Sequence, residues 1–123
     1  MSLEESDQAA AAVAVVERVT LDQLKGKLAF VSYATAWNAF TNDGSELHNV
    51  DNPGDAPAVY EALRVLTLCI GVTKSGFTVV GKSAPAAPEN FDADLGKKFA
   101  YEDVLRQMWP LEGYLLREKL ANA

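Results

Sequence analysis

The residues most able to do chemistry in this chain lie along one predicted helix, Phe91–Trp109. At about 100° per residue, Phe91, Leu95, Phe99 and Trp109 fall in one narrow sector, and Glu102 and Arg106 fall inside it, between Phe99 and Trp109. An apolar stripe that faces a core does not ordinarily carry two charges. One reading is a local i,i+4 pair at the core margin, with the Arg106 stem lying along Trp109. The other places Arg106 on a cleft wall, where its fork clamps phosphate or carboxylate and Glu102 orients it. A second feature is the junction Ser83–Ala93, where a strand end leads through Pro85 and Pro88 to a helix start. Free N–H groups near Asn90–Ala93 form a generic anion seat, with Lys82 and Lys97 as cations that can sit nearby.

Other chemistries find little support. With one histidine (His48), one cysteine (Cys69) and no paired ligand spacing, no zinc site is expected. Asp43, Glu46, Asp51 and Asp55 lack the glycine and terminal glutamate of a calcium loop and read as solvated charge. Ser32, Ser75 and Ser83 have no nucleophile-elbow frame and only His48 as a base. Cys69 alternates with apolar residues and reads as a buried, inert thiol. A GxxxxGK[ST] phosphate loop is absent. The expectation is a non-enzymatic protein with no catalytic residues, no metal and no cofactor.

The elements that must position these residues follow from local signals. Ser6 or Asp7 can cap a short helix over Gln8–Arg18, and a frayed arm over residues 1–18 is the alternative. Thr20-Leu21-Asp22-Gln23 is a capping box that opens a helix from Leu21 to about Phe30, weakened by Gly26. Val31–Phe40 fits both strand and helix periods. Residues 41–57 are rich in Asn, Asp, Gly and Pro and read as a long flexible loop or a lid. Ala58–Val65 suits a short helix. Leu66, Leu68, Ile70 and Val72 then alternate with Thr67, Cys69, Gly71 and Thr73, which gives one apolar and one small polar face. Lys74-Ser75-Gly76 turns the chain, and Phe77–Ser83 returns antiparallel. Asn90 or Asp92 caps a long helix to about Met108. Trp109-Pro110 ends it, and Pro110 opens a final helix through Leu120. The fold class is α+β: an antiparallel hairpin or small sheet packed against a long helix and a C-terminal helix, in one domain over 19–123.

Bulk composition narrows the function classes. The 123 residues suit one compact domain, and 49% are apolar, which is ample for a core. A formal net charge of -6 repels duplex nucleic acid. No run approaches the roughly 20 apolar residues of a membrane span. Ala9–Val16 follows Glu4, Glu5 and Asp7, where a signal peptide has basic residues, so a cytoplasmic location is expected. The single cysteine excludes an internal disulfide framework and fits a reducing compartment. A two-strand hairpin is marginal alone, so self-association is expected unless Val31–Phe40 adds a third strand.

The C-terminal half also carries an ordered string of motifs. These are Leu66-Thr67-Leu68-Cys69, Gly76-Phe77-Thr78-Val79-Val80-Gly81-Lys82-Ser83, Pro88-Glu89-Asn90-Phe91-Asp92, Leu95-Gly96, Phe99-Ala100-Tyr101-Glu102 and Trp109-Pro110-Leu111-Glu112-Gly113-Tyr114-Leu115-Leu116-Arg117. Over about Leu66–Leu120 the chain resembles the small phage-protein family named for gene products of phages N4 and Sf6. A hairpin flanked by helices is in turn similar to bacteriophage anti-defence sponges of the Thoeris and cyclic-nucleotide type, which bind immune signals without cleaving them, as oligomers. The resemblance implies a homo-oligomeric sponge in the host cytoplasm. It would hold a small nucleotide-like ligand through Arg106, Asn90, Lys82, Ser83 and Glu102, with Phe77 or Tyr101 stacking a base. The alternative is a phage accessory module that binds a host protein through Leu111, Tyr114, Leu115 and Leu116, residues for which plain core packing is the competing reading.

Overall fold

The computed structural model describes residues 2–41 and 56–123. The order of elements is α1 (Leu3–Val13), α2 (Leu21–Lys27), β1 (Leu28–Thr35), α3 (Ala36–Thr41), α4 (Ala56–Arg64), β2 (Thr67–Thr73), β3 (Thr78–Ser83) and α5 (Ala93–Ala121), with a 3-10 turn at Pro88–Asn90 before α5. The strands form one antiparallel sheet in the order β1-β2-β3. This is an α+β fold. His48, Asp43, Glu46, Asp51 and Asp55, and most of the expected loop or lid, lie outside the described residues.

The ambiguous segment Val31–Phe40 resolves into both alternatives. Its first half is the third strand, with Ser32 opposite Ile70, and its second half is α3. The expected helix from Leu21 to Phe30 stops at Lys27, because Leu28, Val31 and Tyr33 are taken by the sheet. The capping box at the start of that helix is present. Thr20 Oγ1 accepts from the Gln23 N–H at 3.1 Å, and Gln23 Oε1 accepts from the Thr20 N–H at 3.1 Å. The N-terminal helix lies earlier than expected, over Leu3–Val13 with Ser2 as its cap. Asp7 caps nothing in α1. Its Oδ1 accepts instead from Arg18 Nη1 at 2.8 Å and from the Leu21 N–H at 3.1 Å, which ties α1 to the first turn of α2. The Arg18 guanidinium holds the Asp7 carboxyl below its ordinary range. With Leu3 in the core, α1 is docked rather than frayed.

The face of the sheet that meets α5 is the small one. Thr67, Cys69 and Gly71 are buried, while Ile70 is 45% exposed, and Phe30 and Val80 beside it are 55% and 53% exposed. The reason is the closeness of α5. A Cβ on Gly81 would strike the Ala100 carbonyl and lie 2.9 Å from the Val104 nitrogen. A Cβ on Gly71 would lie 3.2 Å from a Val104 methyl, and one on Gly96 would lie 2.5 Å from Thr67 Oγ1. A trough of small side chains lets the helix descend onto the backbone, and Ala100, Val104, Leu105 and Met108 fill it together with Leu21 and Leu24 of α2. Each large side chain buried there contributes about 1.5–3 kcal/mol.

α5 is one helix of 29 residues rather than two. Pro110 lies inside it and leaves the Arg106 carbonyl without its helical partner. Both residues are exposed, so water can take that carbonyl, and the helix survives the interruption. At about 1.5 Å per residue α5 spans about 43 Å. Strands of six to eight residues span about 20–27 Å. Its C-terminal half therefore runs on past the sheet.

Gly81→Ala is expected to cost about 3 kcal/mol in denaturant unfolding, because backbone rather than a flexible side chain meets the new Cβ. Gly26→Ala, in α2 with nothing within 4 Å, is expected to gain about 0.5–1 kcal/mol. Equal effects at the two positions would contradict this packing.

Candidate functional site

A groove of about 710 Å³ lies where the overhanging half of α5 passes the tip of the β2–β3 hairpin. Phe77, Met108, Leu111, Tyr114 and Leu115 line it, with Lys27, Thr73, Lys74, Ser75 and Glu112 supplying its polar groups. The hairpin tip is built as its sequence suggests. Gly76 adopts φ 88°, its N–H donates to the Thr73 carbonyl at 2.9 Å, and the Phe77 N–H donates to Thr73 Oγ1 at 3.0 Å. Thr73 Oγ1 also lies 2.9 Å from Ser75 Oγ. These bonds fix the turn and hold Phe77 outward, 56% exposed.

The helix side of the groove comes from the overhang. Leu111, Tyr114 and Leu115 recur at i, i+3 and i+4, and Tyr114 is 65% exposed. With no sheet beneath them, they cannot be the core residues that their pattern suggests. Lys27 Nζ lies 3.6 Å from Glu112 Oε2 and Lys119 Nζ lies 3.1 Å from Glu17 Oε2, so the overhang is tethered along its flank to α2 and the segment after α1. Lys74 makes no ion pair among the described residues.

The residues expected to hold a nucleotide are not brought together. Arg106 is exposed and lines none of the principal recesses. Among the described residues it makes no ion pair with Glu102. Glu102 is only 7% exposed, yet no buried polar side-chain atom there lacks a partner, so its carboxylate tip reaches water. Asn90 is in the 3-10 turn and does not cap α5. Asp92 does, its Oδ1 accepting from the Leu95 N–H at 3.0 Å. A carboxylate already occupies the helix start, which removes the expected anion seat. Ser83 and Asn90 share a small recess of about 160 Å³ with that same Asp92. Lys97 lines another, of about 250 Å³, with Tyr33 and Phe91. The Lys82 side chain is exposed, and its N–H donates to Asp103 Oδ2 at 2.9 Å. Tyr101 is half-buried against the core. Of the expected ligand residues, only Phe77 lines the large groove.

Fold and site together define a compact α+β protein in which one long helix crosses a three-stranded sheet and overhangs it to make an apolar groove. The phage protein (N4 Gp49/phage Sf6 gene 66) family matches residues 19–120, and the chain belongs to that family. No curated protein and no solved structure matches the chain. No helix among the described residues is long and apolar enough to cross a membrane.

Away from the groove, the sheet's inner face holds a buried thiol between two tyrosines. Burial pushes up the Cys69 thiol, and it pushes up Tyr33 and Tyr101, with Cys69 adding to both. The folded state thus keeps these protons to a higher pH than the unfolded chain does. Above the ordinary thiol value of 9.0 the unfolded state binds fewer protons, so stability falls as pH rises. Thermal unfolding is expected to show a midpoint that declines progressively through the alkaline range. A midpoint unchanged across that range would contradict the burial of Cys69 and the partial burial of the two tyrosines.

Proposed function

We propose that this protein is a non-catalytic binding protein that engages a host protein through the apolar groove between the hairpin tip and the overhanging half of α5. The observation that carries this reading is the exposure of Leu111, Tyr114 and Leu115 on a tethered helix beside Phe77. Rigid apolar anchors at i, i+3 and i+4 next to a hydrophobic wall are the elements of helix-and-groove recognition. Lys74 on the rim favours a partner segment whose apolar residues are flanked by a carboxylate. Membership of a phage-protein family supports a role inside an infected cell, and the cytoplasm is where this mode of action would operate.

A second reading keeps the small nucleotide-like ligand but moves it to the groove. Its volume falls in the range of small-molecule sites, Phe77 and Tyr114 can stack a base, and Lys74 can meet a phosphate. Sequestration of a cyclic nucleotide immune signal has less support than a protein partner, because the groove is mainly apolar and Lys27 is already paired with Glu112.

A photo-crosslinking residue at Tyr114 in infected cells is expected to give an adduct with one protein. Leu115→Glu should abolish that adduct while shifting stability by less than about 0.5 kcal/mol, since Leu115 is exposed. The same residue at exposed Lys98, on α5 outside the groove, should give none. Adducts identical at both positions would sink the proposal. Calorimetry with cyclic di- and trinucleotides separates the second reading: saturable binding lost in Phe77→Ala would replace the protein partner with a nucleotide.

A further inference from the structure

The two edges of the sheet are treated differently. The outer edge of β3 is closed by α5: Asp103 Oδ2 accepts from the Lys82 N–H at 2.9 Å, and Gln107 Nε2 donates to the Val80 carbonyl at 2.8 Å. No strand can add there without displacing the helix. Among the described residues, the outer edge of β1 has no such cover. The Ala36 N–H donates to the Leu66 carbonyl, and the register pairs Ala34 with Leu68, Ser32 with Ile70 and Phe30 with Val72. The alternation of an antiparallel ladder makes these the bonded pairs and turns the backbone groups of Val31 and Tyr33 away from β2. Among the described residues nothing hydrogen-bonds to those outward groups. Apart from β2, the elements in substantial contact with β1 are α2 and α3, which directly precede and follow it in the chain.

Residues 28–35 also lack most of the devices that protect an edge. Leu-Ala-Phe-Val-Ser-Tyr-Ala-Thr contains no charge, proline or glycine. The one irregularity, a register shift between Leu28 and Phe30, lies at its start and leaves the rest regular.

We infer that β1 is a self-association edge, and that a second copy of this chain occupies it, the two β1 strands pairing antiparallel about a two-fold axis. A strand is complementary to its own copy in that arrangement, and the contact is isologous. The seam is uncharged, so two chains of net charge -6 do not set like charges against each other there. The assembly also closes. Pairing consumes both open edges, and the edges left outside are the two β3 strands, each capped by Asp103 and Gln107. The product is a six-stranded sheet and a dimer, not a filament. No residue lining the groove belongs to β1, so this inference stands apart from the proposed function.

Light scattering and sedimentation of the full chain over a concentration series are expected to give twice the 13.3 kDa chain mass. Val31→Pro removes an outward N–H without touching the internal ladder and should give the single-chain mass with the sheet retained. Because Val31 also packs against the core, hydrogen exchange on the unmodified chain supplies a reading that does not depend on this variant. The Val31 and Tyr33 amides should exchange as slowly as those of β2. A single-chain mass at every concentration overturns the inference, as do open-ended assemblies. So does a dimer in which those amides exchange fast and which Ile70→Lys breaks instead, since it would pair through the outer sheet face.

Discussion

The contact on which the rest of the structure depends is the descent of α5 onto the sheet backbone at Gly81. Ala100 and Val104 occupy the space where a Cβ would be, and the same Val104 covers Gly71. A helix this close needs small side chains beneath it, so β2 presents Thr67, Cys69 and Gly71 inward and sends Leu68, Ile70 and Val72 outward. The usual preference for placing the larger apolar face in the core gives way to the closeness of one helix. The close seating also brings Asp103 and Gln107 within reach of the β3 edge, where they satisfy its backbone.

Two exposed features follow from that seating. Anchored over β2 and β3, α5 runs past the end of the sheet, and its last turns carry leucines and a tyrosine with no core to enter. The hairpin tip, held by Thr73 and Gly76, supplies the facing wall with Phe77. The overhang stays aligned because Lys27 and Glu17 pair along its flank and because Pro110 faces water, where the lost hydrogen bond costs least. On the other side the outward residues Phe30, Ile70 and Val80 leave an apolar sheet face exposed.

Much of the local structure was legible in the sequence. The Thr20–Gln23 capping box, the Lys74-Ser75-Gly76 turn and the buried Cys69 each rest on chemistry within a few residues, and each is present. The family resemblance was readable from ordered motifs in the C-terminal half. What was not legible depends on long-range placement. Alternation in β2 shows two faces but not which one a helix covers. Trp109-Pro110 reads as a helix end because the local penalty at proline is real, yet an exposed proline can be carried by a helix anchored on both sides. The Leu111, Tyr114 and Leu115 stripe has the spacing of core residues, and only the mismatch between helix and strand lengths exposes it. Arg106 lies among aromatic residues on a helical projection, but a projection does not say where the sheet ends or which flank is open. Asn90 and Asp92 both have the chemistry of a cap, and the choice of Asp92 makes the anion seat an occupied one.

The proposed function requires the groove to be open and apolar in the free protein. Methyl NMR of the chain during titration with an apolar fluorescent probe, 8-anilinonaphthalene-1-sulfonate, tests that directly. Saturable, one-to-one shifts of the Met108, Leu111 and Leu115 signals are the predicted result. If those methyls stay unmoved while the probe binds elsewhere, or shift without saturating, the groove is not a binding site and the account fails.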